Sequence, residues 1–204
     1  MVTIRKIETN SELEKASCIL AEAFCGDPLF QFVFNEKSRH NKSKQFFRFF
    51  LKSNTLFKSD IFLAIIEEEI TAVCSFSYPQ KNNQIPFKLT FLIDTCQLIL
   101  QLGFSAFFKL NRYFRLIRET KKTDLYYLNF IGTSTKFRGK GLAKILIDYV
   151  HHIVESDSLH SEVGLDTENF KNLAYYQRFG YHLTEQKKLN NLTIYCMRKN
   201  FINH

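Results

Sequence analysis

The chain has 204 residues, 45% of them hydrophobic and 24% charged, a globular composition long enough to bury one core. Its formal net charge of +8 suits an anionic ligand, a nucleic acid or an acidic membrane surface. The five cysteines (Cys18, Cys25, Cys74, Cys96 and Cys196) are scattered without a C-x-x-C pair, which argues against a disulfide framework or a zinc knuckle and for a reducing, cytoplasmic setting; the amino-terminal MVTIRKIETN carries no signal-peptide core.

Residues 3–7 alternate and predict a first strand. Ser11, with Glu14 three residues on, has capping-box spacing and predicts a helix over 12–24, where Leu13, Ala16, Ile19, Leu20 and Ala23 recur at helical intervals. Gly26-Asp27-Pro28 breaks it. Residues 43–53 interleave Phe46, Phe47, Phe49, Phe50 and Leu51 with Lys44, Arg48 and Lys52. Such interleaving can mark nucleic-acid binding, but at this spacing a packed helix with a solvated basic face is favoured. Residues 61–66 and 70–78 read as a hairpin turning at Glu67-Glu68-Glu69, and 79–86 as a loop. Residues 87–117 are helical and rich in Leu, Ile and Phe. Asp94, Gln97 and Gln101 interrupt them, so no membrane span is expected. The terminal cluster Lys109, Arg112, Arg115 and Arg118 would suit an interfacial helix; the plainer expectation is an inserted pair of helices, over 86–118, that packs on the domain and roofs a substrate site.

The most informative stretch is TKFRGKGLAKILIDYV, residues 135–150, preceded by the apolar run LYYLNFIGT, residues 125–133. Strand, glycine turn and helix start together hold phosphate, because the free N–H groups of the first helical turn and the helix dipole favour an anion. Arg138, Lys140 and Lys144 add positive charge, and Gly139 and Gly141 permit close backbone approach. The turn is read as binding a pyrophosphate. It fails the Walker A pattern, with Ser134 where the first glycine belongs, and the dinucleotide pattern, with Lys144 at the third glycine position. It meets [QR]-x-x-G-x-[GA] through Arg138, Gly141 and Ala143. Further on, residues 162–167 predict a strand. ENFKNLAYYQRFGY then meets N-x-x-x-Y-x-x-x-G-[FY] through Asn172, Tyr176, Gly180 and Tyr181, with Asn172 and Tyr176 on one helix face and Gly180 as a C-cap. Residues 182–189 and 192–198 close the chain as a hairpin joined at Asn190-Asn191.

These two motifs, each behind a strand, resemble those of the GNAT N-acetyltransferase family, and AEAFCGDPLFQFVF resembles the start of one branch of it. The resemblance covers nearly the whole chain. It implies an α/β (α+β) fold for residues 1–204 as one domain: a central mixed, mostly antiparallel twisted sheet of six to seven strands, flanked by helices, with the helical insert between strands 3 and 4. It implies acetyl-CoA in the gap between strands 4 and 5, with Ile131, Gly132 and Thr133 facing the pantetheine arm and acetyl carbonyl. Arg138, Gly139, Lys140, Gly141, Leu142 and Ala143 would wrap the pyrophosphate, and Asn172 would lie beside the cofactor arm. Tyr176 would sit near the thioester sulfur and protonate the departing thiolate. The implied reaction is direct attack on the acetyl group by a primary amine of a small molecule or peptide, with Phe30, Phe34 and Asn129 near the acceptor.

No general base is evident. Asn129 stands where some relatives place a carboxylate and cannot accept a proton; Glu67, Glu68, Glu69 and Asp166 are weaker candidates, and a water chain is the safer expectation. A backbone N–H near Thr133 would polarise the acetyl oxygen. His151 and His152 have no partners at metal spacing and read as surface histidines, so no metal is expected. The missing base leaves open a module that binds acyl-CoA without transfer, and the charge leaves open a basic protein on nucleic acid or anionic membrane, though nucleic acid is not the expected partner. No motif encodes the oligomeric state; a dimer is compatible.

Overall fold

A computed structural model describes residues 1–79, 89–118 and 125–201. Among these residues seven strands, β1 (Thr3–Lys6), β2 (Ser59–Ile66), β3 (Glu69–Ser77), β4 (Tyr126–Thr133), β5 (Glu162–Thr167), β6 (His182–Leu189) and β7 (Leu192–Asn200), form one open sheet in the order β1-β2-β3-β4-β5-β7-β6. Every neighbouring pair is antiparallel except β4 and β5. A parallel pair needs a crossover, here supplied by the turn after β4 and a helix.

Among the described residues seven α-helices flank the sheet: α1 (Asn10–Ala23), α2 (Pro28–Val33), α3 (Arg39–Lys52), α4 (Leu89–Leu102), α5 (Phe104–Arg118), α6 (Leu142–Glu155) and α7 (Lys171–Gln177). Strand alternation divides the apolar residues between two cores. Ile61, Leu63 and Val73 face the side covered by α1 to α5, whereas Phe62, Ala64, Cys74 and Phe76 face that of α6 and α7. The phenylalanines of α3 belong to the first core. Phe47 and Phe50 meet the β4 ring Phe130 edge-on, with centroids 5.1 and 4.7 Å apart, so these rings pack toward the sheet.

Several local signals act a step away from where the pattern places them. The N-cap of α1 is Thr9, not Ser11: Thr9 Oγ1 accepts from the Glu12 amide at 3.2 Å, and the Glu12 carboxylate accepts from the Thr9 amide at 3.1 Å. Two S/T-x-x-E spacings compete in this stretch, and the ion pair between Glu12 and Arg5 of β1 favours the first. Asp27-Pro28 does not merely stop α1. Asp27 caps α2 by accepting from the Leu29 amide at 2.9 Å, and Pro28 begins that helix. The β2–β3 hairpin turns on Glu67 and Glu68, both left-handed at φ 47° and 65°. The expected insert is two helices bent by 120° at Gly103, where φ is 87°. Residues 80–88, which include most of the expected loop and the first positions of the insert, lie outside the described residues. Among the described residues no single helix is long and apolar enough to cross a membrane.

Two irregularities coincide in β4. Its pairing with β5 runs only through Tyr126↔Val163, Tyr127↔Gly164 and Leu128↔Leu165. On its other edge the register jumps from Phe76↔Leu128 to Ser75↔Phe130, which leaves Asn129 as the extra residue of a β-bulge. A bulge bends its strand and sharpens the local twist. The bend therefore falls at the level where β4 and β5 cease to pair, and the sheet opens beyond it.

Candidate active site

The opening between β4 and β5 is a cavity of about 560 Å³, lined by β4 from Tyr127 to Thr133 and by Asp166 and Thr167 of β5. A second cavity, of about 980 Å³, surrounds the turn before α6. The two share Thr133, Arg138, Ala143, Asn172 and Tyr175, so one path runs from the turn into the sheet. This placement brings Ile131, Gly132, Thr133, Asn129, Arg138, Ala143, Asn172 and Tyr176 to the first cavity, and Gly139, Gly141 and Leu142 to the second.

The turn holds Gly139 and Gly141 at φ 77° each, and a Cβ on either would meet nothing within 4 Å. Glycine is required there by the left-handed backbone rather than by crowding within the chain. Helix α6 begins at Leu142, and no side chain caps its start, in contrast to α1. The first-turn N–H groups are thus left for a ligand. Arg138 lines both cavities and donates to the Glu22 carbonyl at 3.2 Å. Lys144 lines the second and pairs with Asp148 at 2.5 Å. Lys140 lies over the Phe137 ring at 4.8 Å and lines neither cavity. Arg178 and Lys199, which motif reading missed, add cations to the second cavity from two distant segments.

Gly132 is also a packing residue. A Cβ there would come within 2.9 Å of Ala23 Cβ and 3.0 Å of Leu20 Cδ2, so β4 lies directly on α1. Asn172 donates to Thr167 Oγ1 at 3.0 Å and Asn129 to Ser77 Oγ at 2.6 Å. The Tyr176 ring is buried against Tyr175 and Tyr181. Its hydroxyl has no hydrogen-bond partner among the described residues, while those of Tyr113, Tyr127 and Tyr181 are engaged. Burial raises the Tyr176 pKa, so the phenol keeps its proton at neutral pH.

Carboxylates absent from the motif reading gather on the opposite wall. Asp27 and Glu168 line the first cavity together with Asp166. The Tyr113 hydroxyl of α5 donates to Glu168 Oε1 at 2.6 Å, and the Tyr127 hydroxyl donates to Asp166 Oδ2. Desolvation, and then the charge of Asp27, pushes the Glu168 carboxyl well above the usual carboxylate range. Desolvation raises Asp27 as well, against the opposing pull of the Leu29 and Phe30 amides. The triad Glu67, Glu68 and Glu69 stands at the β2–β3 turn outside both cavities, where Glu69 pairs with Lys136 at 2.7 Å.

Two expectations are overturned. Phe30 and Phe34 do not line the cavity; Phe30 is buried among Phe24, Phe46 and Phe47, Phe34 is buried against Phe30, and the apolar wall is built instead by Phe24, Leu29, Phe50 and Phe114. Phe30 lies on the core side of the short helix α2, and Phe34, the extended C-cap, donates its N–H to the Phe30 carbonyl at 3.0 Å. Nor is His151 a surface residue. It is 5% exposed and shares the buried stripe of α6 with Ile147, Val150 and Val154, at helical spacing. Its Nε2 lies 3.0 Å from the Tyr181 hydroxyl. The next residue, His152, does stay exposed, beside Glu155. Among the described residues no group of three or more His, Cys, Asp or Glu side chains could hold a metal.

A mixed sheet split at one parallel pair, with an uncapped helix start on one flank of the split, defines the acetyltransferase fold class. The chain belongs to the acetyltransferase (GNAT) family, whose family model matches residues 30–181. A Corynebacterium glutamicum structure described as histone acetyltransferase HPA2 and related acetyltransferase superposes with a TM-score of 0.71 at 20% identity, covering 98% of this chain and 96% of that one. The PaiA N-acetyltransferase of Thermoplasma acidophilum, solved in complex with coenzyme A, superposes with a TM-score of 0.61 at 10% identity, covering 98% and 99%. At these identities the likeness is one of fold. A probable serine/threonine-protein kinase of Dictyostelium discoideum is 26% identical over 220 residues; the match takes in 96% of this chain and 23% of that protein, so the chain spans about a quarter of its length.

Proposed function

We propose that this protein transfers the acetyl group of acetyl-CoA to a primary amine of a small molecule or peptide. The observation that carries the reading is the single path that joins an uncapped helix start, a protonated tyrosine and a half-buried carboxylate across the split in the sheet. Acetyl-CoA supplies an activated acyl thioester. The amides at the start of α6, with Arg138, hold its pyrophosphate, and Ile131 to Thr133 flank its pantetheine arm. A backbone N–H on the unpaired edge of β4 polarises the acetyl oxygen.

The amine nitrogen attacks the acetyl carbon, a C–N bond forms and the C–S bond breaks. Glu168 takes the proton that the amine must lose, since a carboxyl with a raised pKa is a stronger base than an ordinary one once ionised. Tyr176 gives its proton to the departing sulfur. Glu168 thus takes the role for which the sequence offered only Glu67, Glu68, Glu69 and Asp166 as weaker candidates and a water chain as the safer expectation.

The test is a thiol-release screen with acetyl-CoA against polyamines, aminoglycosides, amino acids and peptides, beside calorimetry of acetyl-CoA alone. Saturable cofactor binding with amine-dependent thiol release is expected. No saturable binding at millimolar acetyl-CoA would remove the reading, and binding without release across the panel would reduce the protein to a non-catalytic acyl-CoA module.

A further inference from the structure

The helical insert is apolar on both sides. Its inner face packs into the first core through Leu98, Leu102, Ala106, Leu110, Tyr113 and Ile117. On the outer side Leu89, Leu92, Ile93 and Leu100 follow one face of α4, and Phe104 and Phe108 lie one turn apart on α5. These six are 48–79% exposed and make up six of the ten exposed large hydrophobic residues among those described. Isolated exposed leucines are ordinary, but a run of this kind on one short element marks a contact surface.

We infer that the outer face of α4 and α5 docks on the surface of an anionic lipid bilayer. Charge complementarity selects that occupant. The only charge in α4 is Asp94, and it is turned to Lys52 at 2.8 Å. Helix α5 has no acidic residue, and after Phe108 its exposed positions are Asn111, Arg112, Arg115 and Arg118. Lys109 is directed inward and donates to the Phe32 carbonyl at 2.9 Å. An aliphatic stripe followed by a purely cationic rim matches acyl chains beneath anionic headgroups. A nucleic-acid surface would instead interleave cations with rings along the apolar stripe, and α4 carries no cation at all.

Geometry limits the mode of contact. The helices have 14 and 15 residues and bend by 120° at Gly103, short of the roughly 20 residues of a straight span. They therefore lie in the interface rather than across it. Tyr113, which bonds Glu168, is on the buried side of α5, so lipid on the outer face leaves that bond intact.

The test is co-sedimentation of the full chain with vesicles of phosphatidylcholine alone and of phosphatidylcholine with phosphatidylserine, at low and at physiological salt. Binding is expected on the anionic vesicles only and should weaken as salt rises. Leu92→Ser with Leu100→Ser should weaken it at least roughly ten-fold. Arg112→Gln with Arg115→Gln should weaken it roughly thirty-fold, with unchanged circular dichroism. If either variant fails to fold, the wild-type comparison of the two vesicle types still decides. Equal or absent sedimentation with both vesicle types would overturn the inference. So would self-association that Leu92→Ser with Leu100→Ser abolishes while vesicle binding is absent, which would give the face to a second copy. Acetyl-CoA binding is measured separately, so neither result depends on the other.

Discussion

The Tyr113 hydroxyl donates a 2.6 Å hydrogen bond to Glu168, which fastens the helical insert to the residue that follows β5. The two lie 55 positions apart in the chain. The bond pulls the Glu168 carboxyl down, but burial and the nearby charge of Asp27 outweigh it, and the net shift is upward. A carboxyl in that state is poised to exchange a proton nearer neutrality than a surface glutamate is.

Glu168→Gln should leave acetyl-CoA affinity unchanged and lower kcat by roughly 10²-fold or more, because the amide keeps a hydrogen-bond acceptor for Tyr113 but takes no proton. In the wild type, activity should rise with pH through an ionisation above the usual carboxylate value of 4.5, since only the ionised form is a base. The variant should lack that limb. Steady-state rates against pH decide; an unaltered profile would remove Glu168 from the reaction.

Tyr176→Phe should lower kcat by roughly 10²-fold with a smaller change in the KM for acetyl-CoA. The Tyr176 hydroxyl has no partner to lose among the described residues, so the thermal midpoint should hardly move. Equal turnover in the variant would take away the acid role.

Gly141→Ala should cost about 1 kcal/mol of stability, because its φ of 77° is left-handed and alanine resists it. Gly141→Glu carries the same strain and adds a negative charge beside the anion site, so calorimetry should show acetyl-CoA affinity falling by roughly 100-fold or more. A Glu variant that binds as well as the Ala variant would place the pyrophosphate elsewhere.

Gly132→Ala should destabilise the fold by about 1–3 kcal/mol through overpacking, since the new methyl would press on Ala23 and Leu20 at 2.9 and 3.0 Å. Denaturant unfolding measures this. Ala23→Gly in the same chain should restore part of the loss, as expected if the clash is the cause.

His151 should make stability fall in mild acid. Its burial, and then the charge of Lys199, lowers its pKa from 6.5 to about 4. The unfolded chain takes up that proton first, so stability is full above 6.5 and is lost as pH falls toward and through about 4. The loss is at most about 3 kcal/mol. Asp27 and Glu168, with raised values, act in the opposite sense and lose stability as pH rises through them. The difference between wild type and His151→Gln isolates the histidine: urea midpoints of the two should converge as pH drops from 7 toward 4, a window taken from its own shift.

The amino-acid order alone determined the strands and helices, through their periods of two and about 3.6, and the glycine turn, through Gly139, Gly141 and the helix behind them. The coarse order of elements followed, because such patterns are local and a residue's neighbours in sequence suffice to show them. Only the tertiary structure decided the Asn129 bulge, the end of β4–β5 pairing at Leu128, and the meeting of Asp27, Tyr113 and Glu168 across the cavity. Asp27 looked like a helix breaker, and Glu168 like the first letter of a motif. What raises both carboxyls above the usual range is desolvation by segments remote in the chain, and that depends on sheet order and helix packing, which no short stretch of residues encodes.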